Sequence, residues 1–300
     1  MLYADTSRGR PFSKDPAVVR WGGRYLLYYS LPPHGDGRPG DGYGIGIAAS
    51  PDLEHWERVG EIPPEGEIEG KGICAPGAIV LGSKIHLFYQ TYGNWRRDAI
   101  CHAWSEDGLG FQRDPTNPIF RPAGDWNAGR AIDADVVARD GTLYLYWATR
   151  DPTMTVQMLG VATAPLDSDF SRAAWTQRCD APILRPELDW EQECIEAPAT
   201  CIHEGRFYLF YGGAYNCKPQ QIGCAVSEDG LRWRRLSNRP LLAHGAPGAW
   251  NACESGHPYV LVDDDGSYHL FYQGSADMGR TWYLSRAAIG WKGEVPCLEV

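Results

Sequence analysis

The sequence predicts an all-β fold, a five-bladed β-propeller with four-stranded antiparallel blades, and three interleaved repeats carry that expectation. In the first, a small turn, an apolar run, a Gly-containing hairpin and an aromatic strand recur at roughly sixty-residue intervals. It opens at Asp15 (DPAVVRWGGRYLLYYS), Ala75 (APGAIVLGSKIHLFYQ), Asp133 (DADVVARDGTLYLYWA), Ala197 (APATCIHEGRFYLFYG) and His257 (HPYVLVDDDGSYHLFYQ). A second repeat follows the aromatic strands as SPDLEHWERVG from Ser50, SEDGLGFQRD from Ser105 and SEDGLRWRRL from Ser227. A third precedes the units as NPIFRPAGDWNAG from Asn117, APILRPELDWEQE from Ala181 and RPLLAHGAPGAWNAC from Arg239.

Each element has its reason in the residues. In the fourth unit Phe207, Leu209 and Tyr211 alternate with Tyr208 and Phe210 before Gly212 and Gly213, so both faces are apolar and the strand is a buried one. Gly22-Gly23, Gly82, Gly141, Gly205 and Gly266 mark the hairpins between first and second strands. HGDGRPGDGYG from His34 reads as a hairpin loop of the first blade, and VDDDG from Val262 as a turn, since it lacks the spaced ligands of an EF-hand. Trp126, Trp190 and Trp250 share the repeat phase and read as packing between blades. Residues 1–300 are expected to form a single propeller domain, because the repeats fill the chain and no linker interrupts them.

Composition narrows the partners. With 28 Lys and Arg against 38 Asp and Glu the net charge is −10, which disfavours nucleic acid and anionic membranes. No apolar run approaches the roughly twenty residues of a membrane span. Nine cysteines without metal-site spacing fit reduced thiols, and no leader-like segment opens the chain; the expectation is a cytoplasmic protein, or a secreted one if a leader was removed.

In a propeller the first strand of each blade lines the axis, so the opening residues converge on one funnel: Asp15, Ala75, Asp133, Glu196 with Ala197, and His257. Like charges meeting there raise one another's pKa, which keeps one acid protonated while another remains a base. Glycoside hydrolysis needs such a division of labour.

DPAVVRWGGRYLLY from Asp15, AIDADVVARDGTLYLYW from Ala131 and IEAPATCIHEGRFYLFY from Ile195 resemble the three motif segments of glycoside hydrolase family 43, a family of five-bladed propellers. The resemblance implies Asp15 as general base, Glu196 as general acid and Asp133 as the acid that tunes and orients Glu196. GHPYV from Gly256 is similar to the family's axial His segment and GRTWYLSRAAIGWKGEVP from Gly279 to its closing segment, which implies His257 and Arg280 as substrate contacts. Trp95 is a candidate sugar platform. Two departures stand out: Ala134 replaces the usual proline after the third-blade acid, and Cys74 stands where the family often has Trp. Asp133 is preferred over Asp135 because its interval to Gly141 equals that of Asp15 to Gly23.

The expected activity is inverting hydrolysis of α-L-arabinofuranosyl or β-D-xylosyl linkages in plant-type oligosaccharides. The alternatives are a retaining β-fructosidase-like enzyme with Asp15 as nucleophile, and a carbohydrate-binding propeller without catalysis. No cofactor is required by this chemistry, although an axial Ca²⁺ or other cation near His257 is a candidate.

Overall fold

The computed structural model describes every residue except Pro39 and Val300, so one position of the His34 loop lies outside the described residues. Five antiparallel sheets surround an axis, each running outward in chain order. The first blade comprises Lys14–Trp21, Arg24–Leu31, Gly44–Ser50 and Glu57–Ile62; the second Ile73–Leu81, Lys84–Thr91, Ile100–Ser105 and Gln112–Arg113. The third comprises Ile132–Arg139, Thr142–Arg150, Gln157–Pro165 and Thr176–Gln177; the fourth Ile195–His203, Arg206–Gly213, Gln221–Ser227 and Arg234–Arg235. The fifth, Glu254–Val262, Tyr268–Ser275 and Tyr283–Lys292, takes its outer edge from the other end of the chain: Leu2–Tyr3 pairs with Leu284 and Ser285, while Val295–Glu299 continues along the same strand. The first and fifth inner strands then pack on each other and close the ring. Repeat reading placed the five units but not this exchange of strands.

Position in the blade explains composition. Inner and middle strands are covered on both faces and are almost continuously buried, as in Arg24–Leu31 and Arg206–Gly213. Three outer strands are only two residues long and polar, which leaves little free edge for another chain to pair with. After third strands, Asp52, Asp107 and Asp229 turn back to accept backbone N–H groups two and three residues on, which accounts for the second sequence repeat.

A buried acid, a tyrosine and an arginine lock three of the blades in the same way. Tyr29 donates to Asp5 and Arg58 joins it; Tyr89 and Arg113 meet on Glu69; Tyr211 and Arg235 meet on Glu191. The third blade replaces the tyrosine with Trp147, against which Trp126 stacks at 5.7 Å. Trp190 likewise stacks on Tyr211 and Trp250 lies 5.8 Å from Tyr272, so the tryptophans of the third repeat are packing residues as expected.

The second blade holds a histidine pair inside an aromatic wall. His86 Nδ1 lies 3.0 Å from His102 Nε2, His102 Nδ1 lies 3.3 Å from Asp114, and Phe88 and Phe170 cover the rings. Burial, helped by His102 and Lys84, lowers His86 to about 4; burial also lowers His102, although Asp114 opposes it. The unfolded chain therefore binds more protons than the native one between its ordinary pKa of 6.5 and about 4, and stability is lost as pH falls through that window. Denaturant midpoints measured from neutral pH to pH about 4 should fall more steeply for the wild type than for His86→Gln; equal slopes would remove the pair from the account.

Candidate active site

The inner strands build the site by a shared irregularity. Each ladder slips where two residues oppose one: between Lys14 and Ala17, Cys74 and Gly77, Ile132 and Asp135, Glu196 and Ala199, Gly256 and Tyr259. The residue inside each slip has left-handed backbone: Asp15 (φ 52°), Ala75 (48°), Asp133 (53°), Ala197 (50°) and His257 (42°). Positive φ is rare for residues with a Cβ and costs on the order of 1–3 kcal/mol each, so the ring of packed blades must hold it in place. The bulge re-aims the side chains, and it tolerates Pro16, Pro76, Pro198 and Pro258, which donate nothing to the ladder.

Asp15, Asp133, Glu196 and His257 consequently line one cavity of about 370 Å³, which Cys74, Ala75, Trp95, Arg150 and Tyr215 also line. His257 stands between two acids: Nδ1 is 2.9 Å from Asp15 Oδ1 and Nε2 is 3.3 Å from Glu196 Oε1. Asp133, Glu196 and His257 each bring one atom within 4.8 Å of the others. Asp133 Oδ2 and Asp15 Oδ1 are buried without a hydrogen bond, Asp15 Oδ1 lying 2.9 Å from His257 Nδ1 and 3.9 Å from Lys14 Nζ. Asp135 is not among the residues lining this cavity and accepts from the N–H and hydroxyl of Thr200. Two positions after Asp133 it would share its face in a regular strand, and the bulge at Asp133 and Ala134 breaks that alternation, so Asp135 borders only a smaller axial cavity with Asp15, Asp133 and His257. Trp95 sits at the mouth, 60% exposed. Arg280 is not brought to the cavity; it is exposed on the turn organised by Asp277, and Lys14, over the ring of Trp282 at 4.6 Å, is the cation that this part of the chain supports.

Four buried glutamines hold the constellation, and sequence reasoning missed them. Gln273 accepts from the Asp15 N–H, Gln90 from the Asp133 N–H and Gln220 from the His257 N–H, each reaching from the neighbouring blade. Gln220 also donates to Glu196 at 2.6 Å, and Gln157 donates to the other oxygen of Glu196. Gly256 makes room for this: a Cβ there would lie 2.0 Å from Gln220 Oε1. The one sequence signal was LFYQ, which ends both the second and the fifth aromatic strands at Gln90 and Gln273.

Electrostatics divide the acids. Burial works against charge on Asp15, but Lys14 and His257 outweigh it and hold its carboxyl far below the usual range. Burial also opposes charge on His257, yet Asp15 and Glu196 push its pKa well above the ordinary value. Asp133 rises to about 7, chiefly through burial and then through the charges of Glu196 and Asp15, with His257 offsetting only part. Glu196, against its own burial, is lowered by His257 and Gln220. Near neutrality the funnel thus contains an ionised Asp15, a charged imidazole, and the coupled carboxyls of Asp133 and Glu196, within 4.8 Å of each other, with one proton between them that burial favours on Asp133.

For the candidate axial cation, Asp133, Glu196 and His257 offer three atoms within 4.8 Å of one another, one of them an imidazole nitrogen, and water would supply the rest of calcium's six to eight ligands.

A propeller funnel with one firmly ionised carboxylate across from a proton-sharing pair is the site of an enzyme that breaks glycosidic bonds. The family model of glycosyl hydrolases family 43 matches residues 9–292, and the chain belongs to that family; it is a glycoside hydrolase. It is 28% identical over 223 residues to a 1,2-beta-oligomannan phosphorylase of Thermoanaerobacter sp. (strain X514), covering 72% of this chain and 68% of that protein. It is 26% identical over 237 residues to Alpha-L-arabinofuranosidase 43 of Humicola insolens, covering 74% of this chain but only 45% of that protein. Among solved structures it superposes on a thermostable family-43 glycoside hydrolase with a TM-score of 0.77 at 23% identity, over 96% of this chain and 93% of that one. An alpha-L-arabinofuranosidase from Lactobacillus brevis gives 0.69 at 17% identity, over 95% and 93%. At those identities the structural likeness speaks for the fold alone.

Proposed function

We propose that the protein is an inverting glycosidase that removes α-L-arabinofuranosyl or β-D-xylosyl residues from plant-type oligosaccharides. Asp15 is the general base, Glu196 the general acid, and Asp133 the neighbour that supplies and tunes the acid's proton. The carrying observation is the His257 bridge: Asp15 and Glu196 do not touch but meet opposite nitrogens of one ring. An imidazole between the two carboxylates keeps them out of contact, in keeping with the wider spacing, roughly 6.5–9.5 Å, by which inverting pairs leave room for a water. A retaining pair needs about 5–5.5 Å.

The chemistry runs from these positions. A water beside ionised Asp15 loses its proton to that carboxylate as its oxygen attacks the anomeric carbon. The bond to the leaving oxygen breaks, and that oxygen takes the proton of Glu196. Asp133, with a carboxyl oxygen within 4.8 Å of Glu196 in the same buried pocket, keeps a proton available near neutrality. Activity is therefore expected to fall as pH rises through about 7, the value to which Asp133 is pushed, because the pair then loses its shared proton. The depressed pKa of Asp15 gives no matching loss on moderate acidification. A kcat/KM profile with an alkaline limb only is the expected result; a limb centred near pH 4 to 5 would assign the base wrongly.

A panel of 4-nitrophenyl α-L-arabinofuranoside, β-D-xyloside, β-D-mannoside and a β-fructoside, each with and without inorganic phosphate, tests the substrate assignment. Cleavage of the first two without phosphate supports it. Cleavage confined to the mannoside or the fructoside, or dependent on phosphate, overturns it.

A further inference from the structure

Among the cations that line the funnel, three have carboxylate partners. Lys14 Nζ is 3.9 Å from Asp15, Arg130 Nε is 3.6 Å from Asp98, and His257 serves Asp15 and Glu196. Arg150 is the exception: among the described residues no carboxylate lies within 4 Å of it. Its surroundings are nonetheless built. The guanidinium lies over two aromatic rings, 5.6 Å from the centre of Trp95 and 5.0 Å from that of Tyr215. Tyr215 is fixed in turn by its hydroxyl, which donates to the Thr155 carbonyl at 2.8 Å. Arg150 Nε donates to Gln157 Oε1 at 2.9 Å, and one terminal nitrogen reaches the Met154 carbonyl at 3.4 Å. Among the described residues no group accepts from the other terminal nitrogen, and the side chain lines the same cavity as the acids.

A guanidinium packed on two rings and tied through Nε to a buried amide has little side-chain freedom left to lose, and it is weakly hydrated, so it suits the capture of a planar oxyanion. The side of the funnel is set by connectivity. Gln157 accepts from Arg150 with its oxygen and donates to Glu196 with its nitrogen, so Arg150 lies next to the acid, while Asp15 lies beyond His257. Whatever Arg150 binds belongs to the half of the substrate that Glu196 protonates.

We propose that Arg150 is an anion subsite on the leaving-group side, and that the substrates handled best carry a carboxylate on the unit adjoining the scissile bond, as in uronic-acid-bearing oligosaccharides. This rests on Glu196 being the acid. An inorganic phosphate acting as nucleophile would approach the anomeric carbon from the Asp15 side, opposite the leaving group, and would not meet Arg150.

Two aryl glycosides of the sugar chosen by the panel, with leaving groups matched in pKa and differing only in a ring carboxylate, test the proposal. They are compared with wild type, Arg150→Met and Arg150→Lys, at low salt and at about 1 M salt, where a Debye length of about 3 Å weakens charge contacts. Wild type is expected to favour the carboxylated glycoside about tenfold in kcat/KM at low salt, a charge-assisted contact of ordinary strength. The preference should shrink at high salt, vanish in Arg150→Met and persist in part in Arg150→Lys. Calorimetric affinities of xylotriose and of its glucuronic-acid-substituted form for the same proteins read the subsite without turnover. Cleavage of both glycosides with no preference, or a preference that survives in Arg150→Met, overturns the subsite and leaves the glycosidase reading standing. An affinity difference that depends on Arg150, without cleavage of either glycoside, keeps the subsite and sinks the proposed function. Formation of a sugar phosphate when inorganic phosphate is added, lost in Arg150→Met, overturns the leaving-group placement.

Discussion

Replacing Glu196 with Gln is expected to lower kcat by about 10²–10⁴, and Asp15→Asn by a similar factor, the range for loss of a positioned acid or base. Both changes conserve shape. Glu196 accepts from Gln220 on one oxygen and from Gln157 on the other; in Glu196→Gln only one of these amides keeps an oxygen to donate to, so the melting temperature of the variant is measured beside its kcat to separate lost chemistry from lost fold. The two variants separate by substrate: an activated nitrophenol leaves with little help, so Glu196→Gln loses less on it than on an oligosaccharide, whereas Asp15→Asn loses alike on both. Azide should restore neither variant with retained configuration, because no glycosyl-enzyme intermediate is formed. Activities within a few-fold of wild type would remove these residues from the mechanism.

Glu191→Ala is expected to cost about 3–5 kcal/mol of stability, as breaking a buried ion pair from one side does. Glu191 is fully buried and accepts from Tyr211 at 2.8 Å, from Arg235 Nε and Nη2 at 2.7 and 2.9 Å, and from the N–H groups of Glu187 and Leu188. Its removal leaves the buried Tyr211 hydroxyl without its acceptor and Arg235 with only Glu187 and the Arg185 carbonyl. A melting temperature lower by on the order of 10 °C is the corresponding readout. Glu69→Ala should behave alike, since Tyr89 and Arg113 depend on it in the same way. A loss under about 1 kcal/mol would mean that the arginines turn out to water and that these clusters do little for the fold.

The blades were legible because every one repeats the same bulge, and a bulge of fixed geometry holds a residue in fixed phase. Asp15, Ala75, Asp133, Ala197 and His257 therefore align in sequence and in backbone angle alike. Glu196 stands one position earlier, in the phase of Lys14, Cys74, Ile132 and Gly256, so its role came from its neighbours rather than from the repeat. The glutamines were illegible for a different reason: each acts across a blade boundary, Gln273 on a residue 258 positions away, and no local pattern encodes such a partner. Arg150 was hidden similarly, since its rings come from Trp95 and Tyr215 in the second and fourth blades. Arg280 shows the opposite error, a residue matched by motif whose side chain the fold leaves on an exposed turn.

The central claim, that a water activated by Asp15 attacks while Glu196 protonates, is tested most directly by the anomeric configuration of the first-formed sugar. It is read by proton NMR within the first minutes of turnover, before mutarotation mixes the anomers. Product opposite in configuration to the substrate is predicted. Product with the substrate's own configuration, or a sugar trapped covalently on Asp15, would contradict the account and make Asp15 a nucleophile.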